Sequence, residues 1–267
     1  MVSSEKKPVT SDVTIRVLAA LPFIPVVYFV FKGGMISALL CLAITAVMSF
    51  EASSIPRLTI KHPFAIAQWL MVMAPAILIL LPSSIHEIIP PSYLLGMMIV
   101  GLAYTSKDIS AKILMTFLAA SVFSLVSIIL IDEGVKWLIL AVATIIATDT
   151  GAYFGGRRFG GPKLAPMISP SKTWSGAICG MIAGGLAGYT AGYVLGFSPA
   201  VAGLVSIMIA DLSVGGDLLE SWFKRRHNVK DSGRILPGHG GFLDRFDGFL
   251  LTLPLLYLAL IFGLGKG

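Results

Sequence analysis

The sequence predicts an all-α polytopic membrane protein with about nine transmembrane helices, its N-terminus in the cytoplasm and its C-terminus outside. The first observation is composition: the 267 residues are 56% hydrophobic and only 13% charged, whereas a soluble domain carries roughly 25% charged residues. The second is the recurrence of long apolar runs that lack the alternation of barrel strands. Because backbone polar groups in lipid must be satisfied within their own segment, these runs should be helices.

Nine apolar runs supply the predicted spans of a hydrocarbon core about 30 Å thick. They lie near residues 13 to 31, 35 to 50, 64 to 82, 92 to 105, 109 to 131, 136 to 155, 174 to 196, 199 to 221 and 246 to 264. The first run is longer than the core of a secretory signal and is followed by further spans, which favours a transmembrane helix.

Positive charge is distributed unevenly between alternate connectors. With the N-terminus inside, seventeen of the twenty Lys and Arg residues fall on the inner side, and only Lys32, Lys136 and Lys266 fall outside. Cytoplasmic loops retain positive charge, so this bias supports nine spans. The expected location is the inner (cytoplasmic) membrane. The net charge of +6 therefore predicts lipid headgroups and phosphates as partners, and no nucleic acid.

Two regions are expected. Residues 1–107 would form a transmembrane scaffold that also supplies dimer contacts, and residues 108–267 a catalytic region with cytoplasmic loops at 156–173 and 222–245. The two cysteines, Cys41 and Cys179, lie inside apolar runs and are interpreted as small core residues.

The run near 174 to 196 has a glycine at every fourth position. The five are Gly176, Gly180, Gly184, Gly188 and Gly192. Such a stripe lets another helix backbone approach closely. Two interpretations stay open, namely packing within one subunit and the seam of a dimer.

The segment from Asp217 to Asp247 mixes five acids with six Lys or Arg residues beside two apolar spans. Acids near a bilayer are costly unless they meet cations, and cations suit phosphates, so the pattern favours a Mg²⁺-phosphate site. Asp244 and Asp247 lie three apart and would share a helix face, with Asp217 as a third ligand. The alternative is that these acids form interfacial salt bridges with Arg245 and Lys224.

The six basic residues of this segment exceed what topology alone requires. They are Lys224, Arg225, Arg226, Lys230, Arg234 and Arg245. A positive-inside anchor is the simpler interpretation of the first three, but six cations suit a triphosphate together with a phosphomonoester.

A turn with the sequence Pro-Gly-His-Gly-Gly ends at Gly241. Its glycines permit positive φ and let backbone N–H groups approach an anion closely. His239 is interpreted as a hydrogen-bond donor to phosphate, a proton shuttle or a structural hydrogen-bonding residue.

The connector at 156–173 carries a second set of candidates. Asp149, Tyr153 and Arg157 are spaced by four and would align on one face as their helix ends, and an ionisable residue inside a span is functional by default. Ser169 and Lys172 lie just before the next helix N-terminus, where the helix dipole favours anions. A helix cap with an interfacial tryptophan is the alternative.

These residues resemble the signature of the phosphatidate cytidylyltransferase family, also called CDP-diacylglycerol synthase. The matching positions are Ser221, Lys224, Arg225, Lys230, Asp231, Pro237, His239, Gly240, Gly241, Asp244, Arg245 and Asp247. Upstream, the pattern Asp149-x-x-x-Tyr153-x-x-Gly-Arg157 and the run Ser-Pro-Ser-Lys-Thr-Trp are also similar to the family's. The N-terminal spans match only in hydropathy.

The resemblance implies a reaction of CTP with phosphatidic acid that yields CDP-diacylglycerol and pyrophosphate. It implies dependence on Mg²⁺, a second cation, a homodimer, and an active site on the cytoplasmic side. The implied metal ligands are Asp217, Asp244 and Asp247, joined in catalysis by Lys224, Arg225 and His239. The implied substrate-binding residues are Asp149, Tyr153, Arg157, Ser169, Lys172, Ser221, Lys230, Asp231, Gly240, Gly241 and Arg245. One departure is Ser175, which stands where the family usually has an acid.

Two other functions are weighed against this one. A transporter or channel would use Asp149 and Asp211 as an ion path, but the charges gather in two loops on one side and no inverted repeat is evident. A CDP-alcohol phosphotransferase would need a paired-aspartate pattern that begins Asp-Gly-x-x-Ala-Arg, and Asp247-Gly248 is instead followed by Phe-Leu-Leu-Thr.

Overall fold

The computed structural model describes residues 108–233 and 241–264, together with isolated positions between residues 28 and 55. The predicted spans near 13 to 31, 35 to 50, 64 to 82 and 92 to 105 lie wholly or mostly outside the described residues. His239 and Gly240 of the predicted site also lie outside them. The described part therefore contains most of the predicted catalytic region and little of the predicted scaffold.

Four described helices are long and apolar enough to cross a membrane. They are α1 (Ile109–Leu130), α2 (Gly134–Phe159), α3 (Trp174–Leu195) and α4 (Pro199–Arg226). They confirm four of the predicted spans and a mostly helical membrane protein. The count of nine and the orientation of the termini remain predictions.

The boundaries of two predicted connectors were wrong. Residues 156–159 belong to α2 and residues 222–226 to α4, so the basic residues Lys224, Arg225 and Arg226 form the last turn of a helix. Cations at this end of a helix interact favourably with its dipole, which explains why the helix continues beyond the apolar run.

The last predicted span begins later than expected. A single turn, α5 (Leu243–Phe246), is followed by α6 (Phe249–Ala259) and a π-helical turn (Leu260–Leu264). The apolar helix that starts at Phe249 is shorter than the four spans, and Pro254 removes one N–H from its ladder. Asp247 and Gly248 keep helical backbone angles.

The prediction of an all-α fold missed a β-hairpin between α2 and α3. Strands β1 (Lys163–Ala165) and β2 (Ser169–Thr173) pair in antiparallel fashion, with Lys163 opposite Thr173 and Ala165 opposite Ser169. Gly160 and Gly161 have φ values of 62° and 96°, and these left-handed conformations let the chain turn from α2 into β1.

The glycine stripe of α3 packs inside this subunit, against α2 and α4. A Cβ atom at Gly176 would lie 2.9 Å from the carbonyl oxygen of Ala152, and one at Gly180 would lie 2.8 Å from that of Thr148. The five stripe glycines are the buried residues of α3. The stripe therefore fixes the spacing of three helices, and the interpretation of it as a dimer seam was wrong.

The start of α1 and the end of α4 lie on one side of the bundle, next to the hairpin. Asp108 caps α1 by accepting the N–H of Ser110 at 2.8 Å, and its other carboxylate oxygen lies 3.0 Å from Nε2 of His227. Arg225 Nε donates to the carbonyl oxygen of Ile168 at 3.2 Å. Both predicted connectors thus lie on the same side, as their charge predicted.

Candidate functional site

A cavity of about 520 Å³ lies between the first connector and the middle of α4. Its walls come from the end of α2, the hairpin, the start of α3 and the middle of α4. The charged and hydroxyl-bearing side chains that line it are Asp149, Tyr153, Arg157, Lys163, Ser171, Lys172, Thr173 and Asp217. Pockets for small ligands typically measure roughly 300–1,000 Å³, so the cavity can accommodate a nucleotide.

The last turns of α2 present the predicted polar face to this cavity. Asp149, Tyr153 and Arg157 all line it, which confirms the alignment expected from their spacing of four. Arg157 donates from a terminal nitrogen to the hydroxyl oxygen of Tyr153 at 3.0 Å. The guanidinium is thereby oriented while most of its donors stay available to an anion.

Lys172 and Asp217 form an ion pair across the cavity. The Nζ atom of Lys172 lies 2.6 Å from Oδ2 of Asp217, and the two side chains are 22% and 35% exposed. Ser221, one turn further along α4, donates to Oδ1 of Asp217 at 3.2 Å. The pair therefore joins the hairpin to α4 and leaves both charges within reach of solutes in the cavity.

Ser169 and Arg225 hold the hairpin in place and do not line the cavity. Ser169 starts β2 in the backbone ladder. Arg225 donates to the carbonyl oxygen of Ile168, the residue before Ser169. At the end of β2, Thr173 caps α3 by accepting the N–H of Gly176 at 3.1 Å. Ser175, the departure from the family pattern, donates to the carbonyl oxygen of Gly160 and so joins the start of α3 to the end of α2.

A second charged cluster lies deeper, between α4 and α5. The Nζ atom of Lys224 lies 2.6 Å from Oδ1 of Asp244 and 3.2 Å from Oε2 of Glu220. Glu220 is fully buried, and the side chains of Lys224 and Asp244 are 12% and 11% exposed. This cluster is far less accessible to solutes than the pair in the cavity.

Asp244 also accepts backbone hydrogen bonds. Its Oδ2 atom receives the N–H of Gly241 at 2.7 Å and that of Ser232 at 3.0 Å. Burial alone would raise the pKa of Asp244, but the hydrogen bonds from Lys224 and Gly241 together lower it below its usual value. Asp244 is therefore a carboxylate at neutral pH.

Asp247 lies near other acids. Burial, and next the negative charge of Asp217, raise the pKa of Asp247 to about 7, against a lowering effect of the Gly248 N–H. That N–H donates to Oδ1 of Asp247 at 2.7 Å. Asp149 also interacts electrostatically with both Asp217 and Asp247. Three acids from three helical segments therefore lie close enough to affect one another's charge.

The predicted metal ligands are not gathered into one ready group. Among the residues that the structure describes, no three His, Cys, Asp or Glu side chains lie close enough to hold a metal ion. Asp244 is bonded to Lys224 and to two backbone N–H groups, whereas Asp217 and Asp247 interact with Asp149. Sequence spacing gave no sign of this division because it depends on how α5 packs against α4.

Three of the remaining predicted residues are exposed, and Gly241 is buried. Lys230 and Asp231 are exposed just after α4, Gly241 contributes its N–H to Asp244, and the exposed Arg245 interacts electrostatically with Asp149.

Three residues of the site were missed. Lys163 lines the cavity, and its position in the connector was the only signal. Glu220 stands four residues before Lys224, a spacing that favours an ion pair. Glu51 contacts the loop after α4 from far away in the chain, and no local pattern predicts that.

Comparison with known proteins gives cytidylyltransferases by two routes, a family profile and individual relatives. The profile of the cytidylyltransferase family matches residues 14–262. A phosphatidate cytidylyltransferase of Staphylococcus epidermidis is 33% identical over 258 residues, covering 92% of this chain and 96% of that protein. One of Staphylococcus haemolyticus is 36% identical over 198 residues, 69% of this chain and 76% of that protein. One of Brucella suis is 44% identical over 142 residues, so the chain matches about half of that relative's length, 52%.

Proposed function

The chain belongs to the cytidylyltransferase family, a family of nucleotidyltransferases, and we propose that it transfers the cytidylyl group of CTP to phosphatidic acid. The products would be CDP-diacylglycerol and pyrophosphate. The names of the relatives support the substrates. The structural observation that carries the proposal is the Lys172–Asp217 pair in one nucleotide-sized cavity. It offers a cation for phosphate and a carboxylate for a metal ion at the same place.

The reaction needs positioning more than proton transfer. An anionic phosphate oxygen of phosphatidic acid attacks the α-phosphorus of CTP in line. A new P–O bond forms while the bond from the α-phosphorus to the bridging oxygen breaks, and pyrophosphate leaves with that electron pair. Because both reactants are highly charged anions, the protein must chiefly offset their repulsion and align them.

The basic residues of the cavity and its rim would bind the phosphates. Arg157 and Lys172 line the cavity itself, and their charge-assisted hydrogen bonds suit phosphate oxygens. The proposal assigns further phosphate contacts to the exposed Arg225, Lys230 and Arg245 and to the less accessible Lys224, with His239 and the glycines beside it. Ser169 and Arg225 would also act through the hairpin that they hold.

A divalent cation would offset the repulsion among the acids of the site. Asp149, Asp217 and Asp247 repel one another electrostatically, and carboxylate oxygens are the ligands that Mg²⁺ prefers. We assign Asp217 and Asp247 to the ion; Asp244, the third ligand that the sequence predicts, is held by Lys224 and two backbone N–H groups in the described structure. When bound, Mg²⁺ neutralises charge on the triphosphate. The family resemblance also supports a second cation.

The proposal places the active site at the cytoplasmic face of the inner membrane. CTP is water-soluble and phosphatidic acid lies in the bilayer, so the site must be open to both, and irregular backbone at membrane depth is tolerated where it lines such a cavity. The charge bias of the connectors supports this side. A homodimer is proposed from the family resemblance alone, with contacts other than the glycine stripe.

The proposal is tested with the full chain in detergent micelles containing phosphatidic acid and Mg²⁺. Label from [α-³²P]CTP should enter the lipid, and label from [γ-³²P]CTP should appear only in pyrophosphate. Lipid labelled from the γ position would indicate phosphoryl transfer instead. No lipid labelled from either position, together with ion flux into vesicles, would favour the transporter.

A further inference from the structure

A buried glutamate from the N-terminal region reaches the loop that follows α4. Glu51 is 1% exposed, and its neighbours Met48 and Ala52 join an apolar cluster with residues of α1, α4 and α5. Burial of a carboxylate in such surroundings is costly unless hydrogen bonds compensate it. The position therefore requires a specific set of donors.

Those donors come from both ends of one loop. The Oε2 atom of Glu51 accepts the backbone N–H of Leu243 at 2.8 Å and the hydroxyl of Ser232 at 3.2 Å. The N–H of Ser232 in turn donates to Asp244, as does that of Gly241. Glu51 and Asp244 thus bind the same two chain stretches, which flank residues 234–240.

The glycines beside Glu51 give an independent sign of how closely the carboxylate packs. A Cβ atom at Gly241 would lie 2.7 Å from Oε2 of Glu51, and one at Gly233 would lie 2.9 Å from Cδ of Glu51. Real Cβ atoms do not approach other atoms this closely, so any larger residue at these positions would displace the carboxylate or the loop.

We propose that Glu51 is a positioning residue that closes the base of this loop and thereby sets Asp244, and through it Lys224, for substrate. Glu51 itself touches no substrate. The chain of contacts runs from Glu51 to Ser232 and Leu243, then to Asp244, and finally to the Nζ atom of Lys224 at 2.6 Å. This inference rests on the proposed function, because it assigns the consequence of the contacts to cytidylyl transfer.

A residue that only stabilises the core would behave differently. Loss of core packing lowers the melting temperature and the amount of active protein but leaves the affinities of the remaining folded enzyme unchanged. Loss of positioning alters the groups that meet phosphate and cation. The KM for CTP and the Mg²⁺ concentration at half-maximal rate therefore separate the two roles.

The experiment compares Glu51→Ala, Glu51→Gln and Ser232→Ala with the wild type and with Glu133→Gln, an exposed glutamate paired with Lys136 at the other end of the bundle. We expect Glu51→Ala to raise the KM for CTP about tenfold, because Ser232 and Leu243 then lose hydrogen bonds to a charged group, each worth about that factor in the equilibrium that holds Asp244 in position. Glu51→Gln should raise it less, since its amide oxygen still accepts. Glu133→Gln should match the wild type.

Unchanged KM and Mg²⁺ dependence in folded Glu51→Gln and Ser232→Ala would overturn the inference. If Glu51→Ala does not fold, Ser232→Ala decides by the same measurement, because it removes a hydrogen bond to Glu51. Hydrogen exchange at the amides of Ser232, Gly241 and Leu243 should accelerate in the Glu51 variants, whatever the activity. A wild type that labels no lipid, with this acceleration present in the Glu51 variants, would refute the proposed function but not the structural role of the Glu51 contacts.

Discussion

Two lysine–carboxylate pairs of the same length lie in very different surroundings. In both, the Nζ atom lies 2.6 Å from a carboxylate oxygen. Lys172 and Asp217 face the cavity with 22% and 35% of their side chains exposed. Lys224 and Asp244 are little exposed, and the fully buried Glu220 completes their cluster.

This difference in exposure predicts different roles for the two pairs. An accessible ion pair contributes little to stability, so its partners can exchange for a phosphate or a cation at small cost. A buried pair is costly to break, because removal of one partner leaves an uncompensated charge. We therefore expect the cavity pair to affect substrate affinity with little effect on stability, and the buried cluster to affect both the folded geometry of α4 and α5 and the positioning of Asp244.

The largest expected effect is that of Lys224→Met. The substitution leaves Glu220 and Asp244 without their shared cation, which should lower the free energy of unfolding by about 3–5 kcal/mol and abolish activity. Thermal or denaturant unfolding in micelles measures it. The control is Lys136→Met: this lysine and Glu133 are 42% and 53% exposed, and stability should not change measurably. Equal stability of the two variants would refute the assignment of the buried cluster.

A smaller effect, and one on a different quantity, is expected from Lys172→Met. Loss of one charge-assisted contact to phosphate should lower kcat/KM for CTP about 10- to 100-fold, while the melting temperature stays within a few degrees of the wild type. Steady-state rates and unfolding on the same preparations test both parts. A large fall in melting temperature with normal kinetics would show that Lys172 stabilises the fold and does not bind substrate.

The smallest effect concerns pH. The pKa of Asp247 is raised to about 7, so below pH 7 a bound proton competes with a cation at this carboxylate. The Mg²⁺ concentration at half-maximal rate should accordingly fall about tenfold between pH 6 and pH 8, as expected for one titrating ligand.

The Asp247→Asn variant is the control for this titration. Its residual activity should lose the pH dependence of the Mg²⁺ requirement. A dependence retained in Asp247→Asn would assign the titration to the substrate phosphates, and a flat wild-type profile would remove Asp247 from the cation site.

Local patterns in the sequence predicted much of this arrangement. Apolar length located the four spans, spacing by four aligned Asp149, Tyr153 and Arg157, and charge density identified both connectors. The hairpin was not predicted because residues 163–173 show no alternation and include two prolines. It forms where left-handed glycines at the end of α2 and the pairing of Lys163 with Thr173 bring two short segments together.

Long-range contacts were beyond the reach of such patterns. Spacing placed Asp244 and Asp247 on one turn, but it could not show that Asp244 turns towards Lys224 while Asp247 lies near Asp217. The glycine stripe predicted close helix packing, and only the structure identifies α2 and α4 as its partners. Glu51 meets a loop 181 residues away in sequence, so its role depends entirely on tertiary packing.

The most direct test of the cavity as the reaction site is the labelling of lipid from [α-³²P]CTP by the wild type and by Asp217→Asn, each with and without Mg²⁺. Both proteins should unfold at similar temperatures, since Asp217 belongs to the accessible pair. We expect labelling by the wild type only with Mg²⁺, and labelling at least about 100-fold slower by Asp217→Asn. An Asp217→Asn protein that labels lipid as fast as the wild type would contradict the role of the cavity as the reaction site.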